Sequence, residues 1–189
     1  VIAVAAAIGV GCNFSLLVNA TTGIFAGPIG ADLGWARDAI FLATFFASIP
    51  APFIAPVIGA MVDRFGTRRM ILFSYLSQVV LLASFFFMGD NVWGLYIRYA
   101  LMAILAMGTT NVTYVKLIAL WFFRRRGLAL GIVLAGVGVG GAIWNKLTQL
   151  LIDLHGWRMA YVWMAGIIGF VVLPMLLLLV RDTPASKGT

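Results

Sequence analysis

Hydrophobic residues form six long runs along the chain, and most charged residues stand in the short gaps between them. The runs cover approximately residues 1–28, 38–62, 70–88, 92–123, 128–154 and 159–180. A helix needs about 18 or more apolar residues to cross a bilayer core roughly 30 Å thick. The alternating segments of about ten residues that would predict a membrane β-barrel are missing. The pattern therefore predicts an all-α membrane protein with six transmembrane helices.

The amino-acid composition supports the same prediction. The chain is 63% hydrophobic, whereas soluble domains are about 45–50% apolar. Only 10% of the residues are charged, yet the net charge is +7. A nucleic-acid-binding protein would carry such a charge on a soluble basic face. Here the cations stand between apolar runs, so nucleic acid is not expected as a partner.

The positions of the cations predict the orientation of the chain. The gaps after the second and fourth runs and the tail after the sixth hold Arg64, Arg68, Arg69, Arg124, Arg125, Arg126, Arg181 and Lys187. The gaps on the other side hold only Arg37 and Arg158 as cations. Cytoplasmic loops of membrane proteins carry an excess of Lys and Arg. Both chain ends are therefore predicted to be cytoplasmic.

The pattern D-x-x-G-x-R occurs twice, at residues 63–68 and again 90 residues later at 153–158. This offset relates runs one to three to runs four to six. Because three is an odd number, the second copy crosses the membrane in the opposite direction. Inverted repeats of three helices are typical of secondary transporter halves. The sequence therefore predicts six helices that are built as two inverted three-helix repeats.

Two motifs carry a resemblance to a known family. Residues 59–69, GAMVDRFGTRR, resemble the G-x-L-A-D-R-x-G-R-R signature of the major facilitator superfamily. Residues 121–136, WFFRRRGLALGIVLAG, are similar to the Y-F-x-K-R-R-x-L-A-x-G-x-A-x-A-G block of its monocarboxylate transporters and their oxalate/formate relatives. The resemblance implies half of a twelve-helix fold. Residues 1–180 would be the N-terminal six-helix bundle, and residues 181–189 would begin a cytoplasmic linker to a C-terminal half.

The first motif is expected to belong to a cytoplasmic gate, as the resemblance implies. The gating charge network would contain Gly59, Asp63, Arg64, Gly66, Arg68 and, from the second motif, Arg125. The arginines are also compatible with a cluster that only sets the orientation of the chain. Asp63 is harder to explain in that way, because acidic residues contribute little to orientation.

Ionisable residues inside the apolar runs are candidates for function, since charges within a membrane are costly and rare. Arg98, in the fourth run, resembles the Arg of an R-x-x-x-G pattern in proton-coupled members of the superfamily, with Met102 in place of the Gly. A proton-linked role and a structural role both stay open for Arg98. Lys146, in the fifth run, either extends to the interface or attracts a carboxylate into the cavity.

Polar residues near mid-membrane complete the predicted substrate site. Together with Lys146, they are Asn19, Thr22, Asn111, Tyr114 and Asn145. Tyr114 stands seven residues before Trp121, where the resemblance to oxalate/formate transporters implies a substrate-facing Tyr. Hydrogen bonding between helices is the alternative for Tyr114 and for Thr22.

The sequence predicts a secondary active transporter for a small organic anion, a monocarboxylate or a similar acid, with proton coupling or exchange. It would work by alternating access as an integral protein of the lipid bilayer, in a bacterial cytoplasmic membrane. Two alternatives stay open, a transporter of a neutral solute such as a sugar or a drug, and a non-transporting membrane scaffold. An enzyme, a cofactor and a metal are not expected, because His155 is the single histidine and Cys12 the single cysteine. The common hydrolase, metalloprotease and phosphate-loop motifs are also missing.

Overall fold

The computed structural model describes residues 2–110, 113–115, 118 and 126–179, and these residues form helices and short connections without a strand. The helices are α1 (Ile2–Gly11), α2 (Phe14–Leu33), α3 (Arg37–Ser48), α4 (Ala51–Phe65), α5 (Thr67–Ser84), α6 (Val92–Leu105), α7 (Arg126–Ile167) and α8 (Leu173–Leu179). Single turns of 3₁₀-helix follow α5 at Phe85–Phe87 and α6 at Met107–Thr109. A π-helical turn at Ile168–Val172 joins α7 to α8.

Three helical segments are long and apolar enough to cross a membrane, and they cover Phe14–Leu33, Thr67–Phe87 and Gly127–Leu179. A fourth span arises if α3 and α4, which meet at an angle of 42°, are taken as one bent helix. This architecture is that of a helical membrane protein. Much of 111–125 lies outside the described residues, so the count of six spans stays a prediction.

The first predicted span differs from the sequence-based expectation in two respects. Helix α2 continues through Pro28 to Leu33, where Gly34 ends it with a φ of 68° and a ψ of 20°, a left-handed conformation typical of helix C-termini. The span is also interrupted between α1 and α2 at residues 12 and 13. Asn13 starts α2 by accepting a hydrogen bond from the Leu16 amide at 2.7 Å.

Side chains of α5 donate hydrogen bonds to backbone carbonyl groups at this interruption. The Tyr75 hydroxyl donates a hydrogen bond to the Gly9 carbonyl oxygen, and the Gln78 amide donates to the Cys12 carbonyl oxygen at 3.1 Å. An unpaired backbone group costs several kcal/mol inside a membrane. Residues 66 positions apart in the chain therefore stabilise the gap between α1 and α2.

Helix α1 packs against α7 backbone to backbone. A Cβ atom at Gly136 would overlap the backbone of Ala7, and one at Gly140 would overlap the backbone of Gly11. The Gly136-x-x-x-Gly140 spacing predicts this kind of close approach. At the same contact the Trp144 indole N–H donates to the Gly11 carbonyl oxygen at 3.0 Å. Glycine at these positions therefore determines how closely α1 and α7 can approach.

Gly66 and Gly156 share an unusual backbone conformation. Their φ and ψ angles are 87° and 149° for Gly66 and 76° and 165° for Gly156, in a region that glycine occupies almost alone. Gly66 separates α4 from α5, and Gly156 divides α7 into two helical parts. Both glycines belong to the D-x-x-G-x-R pattern, so the two copies of the pattern share a backbone conformation, and the inverted repeat stays a prediction.

Connections that are predicted to share one membrane face meet in the structure. Arg158 forms an ion pair with Asp32 and donates to the Met88 carbonyl oxygen at 3.3 Å. The Trp157 indole N–H donates to the Asp32 carboxylate at 3.1 Å. The turn at 153–158 is thereby joined to the end of α2 and to the end of the 3₁₀ turn after α5.

Candidate functional site

A polar cleft of about 210 Å³ lies between α2, α3 and the 3₁₀ turn that follows α6. Its polar side chains are Ser15, Asn19, Thr44, Ser48 and Thr110. Its apolar wall is formed by Phe14, Val18, Ala47, Ala51, Ala103 and Met107. The lining contains no charged side chain among the described residues. The cleft therefore offers neutral hydrogen-bonding groups in an otherwise apolar surface.

Helical spacing brings the polar groups of the cleft together. Ser15 and Asn19 stand one turn apart on α2, and the Asn19 amide donates to the Ser15 carbonyl oxygen at 2.8 Å. Thr44 and Ser48 stand one turn apart on α3, where residues at i and i+4 share a face. The Thr110 hydroxyl donates to a backbone carbonyl oxygen of its own turn at 2.8 Å. The polar groups of α2, of α3 and of the 3₁₀ turn therefore all line the same cleft.

Three hydroxyl groups of the cleft, those of Thr44, Ser48 and Thr110, already donate their hydrogens to backbone carbonyl oxygens. Thr44 donates to the carbonyl oxygen of Phe41 at 2.6 Å, and Ser48 donates to that of Phe45 at 2.7 Å. These bonds leave the hydroxyl lone pairs as acceptors. A bound solute with its own hydrogens can use those acceptors directly. A carboxylate requires the hydroxyls to turn away from the backbone, or donors such as the Asn19 amide.

Among the described residues of the predicted substrate set, Asn19 alone lines this cleft. Thr22 is buried, with its hydroxyl 2.7 Å from the Val18 carbonyl oxygen and 3.1 Å from the Tyr99 hydroxyl. Tyr114 is also buried, and its hydroxyl lies 3.4 Å from that of Tyr75. The structure therefore places Thr22 and Tyr114 between helices, and substrate contact by either residue stays a prediction.

The remaining residues of the predicted substrate set lie elsewhere. Asn145 and Lys146 are exposed on α7 and do not line the cleft. Their neighbour Trp144 is buried against α1, so successive residues of α7 face different surroundings. Asn111 lies outside the described residues.

Arg98 makes its contacts with the end of α5 and with its own helix. Its Nε donates to the Ser84 hydroxyl at 3.2 Å, and one of its terminal nitrogens donates to the Gly94 carbonyl oxygen at 3.0 Å. The guanidinium also lies 5.9 Å from the centre of the Phe85 ring. This geometry fits the structural alternative, because it joins α6 to α5, and a proton-linked role stays a prediction.

The predicted gate lies at the junction of α4 and α5. Gly59 and Asp63 stand one turn apart near the end of α4, with Asp63 exposed. Arg64 lies over the neighbouring Phe65 ring at 5.4 Å. Across the bundle, Arg68 donates to the Leu177 carbonyl oxygen of α8 at 2.7 Å. Arg125 lies outside the described residues, and the gating role of the whole set stays a prediction.

Sequence reasoning missed the α3 side of the cleft. Thr44 and Ser48 are short polar residues four positions apart in an apolar run, and Ser15 and Asn19 repeat that spacing on α2. Such i, i+4 pairs of small polar residues in two neighbouring spans are the signal that could have found the site. Ser15, Thr44 and Ser48 are the residues that this signal adds.

A second, larger hollow differs in chemistry. It measures about 410 Å³ and runs along α1 and α7, where Gly11, Gly136 and Gly140 contribute to its floor. Apart from Cys12 and Trp144, its lining side chains are aliphatic or absent. This groove lacks the hydrogen-bonding groups that would orient a polar solute, so the polar cleft is the better candidate for substrate.

Comparison with known proteins identifies the family. The profile of the Major Facilitator Superfamily matches residues 6–189. The chain belongs to the major facilitator superfamily. Its members are transporters, which confirms that the protein is not an enzyme and that its apolar helices are those of an integral membrane protein. The resemblance to the monocarboxylate and oxalate/formate branch is also confirmed.

Three relatives illustrate the similarity of this superfamily member to characterised transporters. The chain is 28% identical to the oxalate:formate antiporter of Oxalobacter formigenes over 174 residues, which are 87% of the chain and 38% of that protein. It is 26% identical to the MFS-type transporter pynF of Aspergillus niger over 172 residues, 87% of the chain and 36% of the relative. It is 33% identical to monocarboxylate transporter 9 of Gallus gallus over 104 residues, 54% of the chain and 20% of the relative. The chain thus spans well under half the length of these relatives.

Proposed function

We propose that the protein is the N-terminal half of a secondary active transporter that moves a small organic anion, a monocarboxylate or a similar acid, by alternating access. The observation that carries the proposal is the polar cleft. With about 210 Å³, it is smaller than the roughly 300–1,000 Å³ typical of pockets for drug-sized ligands. The relatives named for monocarboxylates and for oxalate and formate support the same size class of solute.

The anion requires a positive charge that the cleft does not contain. In transporters of this kind the substrate lies at the interface of two repeats or halves. A second six-helix half is therefore proposed as the partner that closes the cleft and contributes a cation. A parallel homodimer of two six-helix bundles is the rival arrangement.

The neutral lining also favours a second candidate, a transporter of a small neutral solute. The Thr44 and Ser48 hydroxyls, whose hydrogens are bonded to the backbone, can accept hydrogen bonds from a polyol or an undissociated acid through their lone pairs. The choice between anion and neutral solute depends on the charge that the partner half adds. A direct uptake measurement separates the two.

The test uses the full-length polypeptide that contains these residues, reconstituted in liposomes. Uptake of radiolabelled formate, oxalate, acetate, lactate and pyruvate is compared with uptake of glycerol and glucose. Collapse of the proton gradient, and preloading with unlabelled acid, distinguish proton coupling from exchange. Saturable uptake of a carboxylate is expected. Saturable uptake restricted to a neutral solute would instead establish the second candidate.

Two serine variants test whether transport depends on the cleft. Ser48→Ala removes a cleft hydroxyl, and Ser77→Ala removes a hydroxyl of α5 that makes the same kind of bond, to the Phe73 carbonyl oxygen at 2.9 Å, outside the cleft. Loss of one hydrogen bond to substrate, about 1 kcal/mol, is expected to raise KM about fivefold in Ser48→Ala. The same increase is expected for Asn19→Ala. Equal KM values in Ser48→Ala and Ser77→Ala would remove the cleft from consideration as the substrate site.

A separate measurement tests whether transport requires a second six-helix half. Liposomes that contain residues 1–189 alone are expected to show no carboxylate flux above empty vesicles, because an interface that closes the cleft is absent. Flux from this sample would contradict the half-transporter proposal. Crosslinked dimers in an active sample would point to the homodimer.

A further inference from the structure

Two interruptions of helical structure lie side by side in the bundle. The first separates α1 from α2, and the second follows α6 at residues 106–110. Thr109 connects them, because its hydroxyl accepts a hydrogen bond from the Phe14 amide at 3.1 Å and donates one to the Ala106 carbonyl oxygen at 2.7 Å. The side chain is fully buried. One hydroxyl thus pairs the first amide of α2 with a carbonyl group at the end of α6.

The two segments that Thr109 joins each contribute a wall of the polar cleft. Phe14 and Ser15 line it from the start of α2, and Met107 and Thr110 line it from the turn after α6. We propose that Thr109 is a positioning residue that fixes these two walls relative to each other. Its importance for transport rests on the proposed function, since it presumes that the cleft binds the substrate.

The chemistry of the bridge explains why a hydroxyl is required. The first amides of a helix have no partner within the helix, and a buried amide without a partner is costly in a membrane. The Asn13 side chain accepts a hydrogen bond from the Leu16 amide. The Phe14 amide instead donates its hydrogen bond to the Thr109 hydroxyl. Valine has the same shape as threonine but can neither accept nor donate. The Thr109 amide still donates to the Ala106 carbonyl oxygen at 2.9 Å, so Thr109→Val removes the link between the walls selectively.

Hydrogen exchange measures the bridge without reference to any substrate. The full-length protein is prepared as wild type, Thr109→Val, Thr109→Ser and Thr148→Val, and deuterium uptake is followed by mass spectrometry in peptides that cover 12–18. Thr148 is the matched control, because it is fully buried and its hydroxyl lies 3.7 Å from the Met164 sulfur, away from the cleft lining. Thr109→Val is expected to exchange about tenfold faster in this segment. Thr109→Ser and Thr148→Val are expected to match wild type.

Equal exchange in Thr109→Val and Thr148→Val would overturn the proposal. If Thr109→Val does not fold, Thr109→Cys replaces it, because a thiol is a weak acceptor of similar size. Exchange in the 12–18 segment is then expected to be faster for Cys than for Ser, and equal rates would again overturn the bridge.

Transport kinetics separate this proposal from the proposed function. Thr109→Val is expected to raise KM about fivefold with little change in maximal rate, Thr109→Ser to restore the wild-type KM, and Thr148→Val to leave it unchanged. Faster exchange together with an unchanged KM would support the bridge and contradict the cleft as substrate site. A loss of maximal rate at constant KM, without faster exchange, would contradict the positioning role.

Discussion

The turn at residues 63–68 and the turn at 153–158 have the same backbone shape but different electrostatic surroundings. In each, a glycine with positive φ precedes an arginine by two residues, and the arginine donates to a carbonyl oxygen near the end of a distant helix. Arg68 reaches Leu177 at 2.7 Å, and Arg158 reaches Met88 at 3.3 Å. The two acceptors are 177 − 88 = 89 residues apart, close to the 90-residue offset of the arginines. Each turn thus donates a hydrogen bond to the backbone of the other predicted repeat.

The difference lies in the neighbours of the two turns. Arg158 is held by the Asp32 carboxylate and lies 4.2 Å from the centre of the Trp157 ring. The first turn carries two further exposed arginines, Arg64 and Arg69. The shared backbone shape follows from glycine, whereas the charge pattern distinguishes one end of the bundle from the other. This contrast teaches that two turns with the same sequence pattern and backbone conformation can differ in the charges around them.

The largest expected difference between the turns is the side of the membrane that each one faces. Single cysteines are placed at exposed positions, Arg69→Cys near the first turn and His155→Cys in the second, in a background with Cys12→Ala. An impermeant maleimide added outside whole cells is expected to label His155→Cys and not Arg69→Cys, because the cation-rich side is predicted to be cytoplasmic. Labelling of both positions from the same side would contradict the inverted repeat.

Because the two glycines share a backbone conformation, replacing either one is expected to lower the stability of the protein by the same amount. Gly66→Ala and Gly156→Ala are each expected to destabilise the protein by about 1–3 kcal/mol, because alanine is strained at these φ and ψ angles. Gly138→Ala is the control, since a Cβ atom there would have no neighbour within 4 Å and φ is helical. Thermal unfolding in detergent gives the comparison. A neutral Gly156→Ala would show that the two turns do not share their geometry.

Variants of the acidic residue in each turn test whether the two turns have different roles in transport. If Asp63 belongs to the predicted gate, Asp63→Asn is expected to slow turnover about fivefold, a change of about 1 kcal/mol, without altering KM, because the substrate site stays intact. Asp153 accepts a bond from Gln149 on its own helix at 2.8 Å. Such pairs contribute little, so Asp153→Asn is expected to change turnover by at most about twofold. A raised KM in Asp63→Asn would argue against gating.

The smallest effect is expected at the ion pair of the second turn. Its side chains are 34% exposed for Arg158 and 46% for Asp32, and exposed pairs are weak and screened by salt. Asp32→Asn is expected to lower the unfolding temperature less than either glycine variant, and the difference is expected to shrink in 1 M salt. Arg37→Gln, a change at another exposed arginine, is the control. A salt-independent loss of stability would show that the hydrogen bond from the Trp157 indole matters more than charge.

Several features of the fold could be predicted from the sequence because they depend on local chemistry. Long apolar runs predicted helices, and the glycine of D-x-x-G-x-R marked both turns. The Gly136-x-x-x-Gly140 spacing marked a close contact, although the identity of α1 as the partner came only from the structure. Each of these features is encoded within a few neighbouring residues.

The interruptions could not be predicted, because their causes lie far away in the chain. No proline marks residues 12 and 13, and the gap there is stabilised by Tyr75 and Gln78 of α5. The α3 side of the cleft could not be predicted for a related reason. Thr44 and Ser48 bond to their own helix, so as single residues they are equally compatible with a lipid-facing surface.

The bond between Trp144 and Gly11 has a consequence for the synthesis of the protein. These residues are 133 positions apart, and at about 5–20 residues per second the ribosome needs roughly 7–27 s to add the second after the first. During that interval the Gly11 carbonyl oxygen has no indole partner, and the glycine surface of α7 that α1 packs against has not been made. Helix α1 can therefore insert into the bilayer many seconds before its packing against α7 can form.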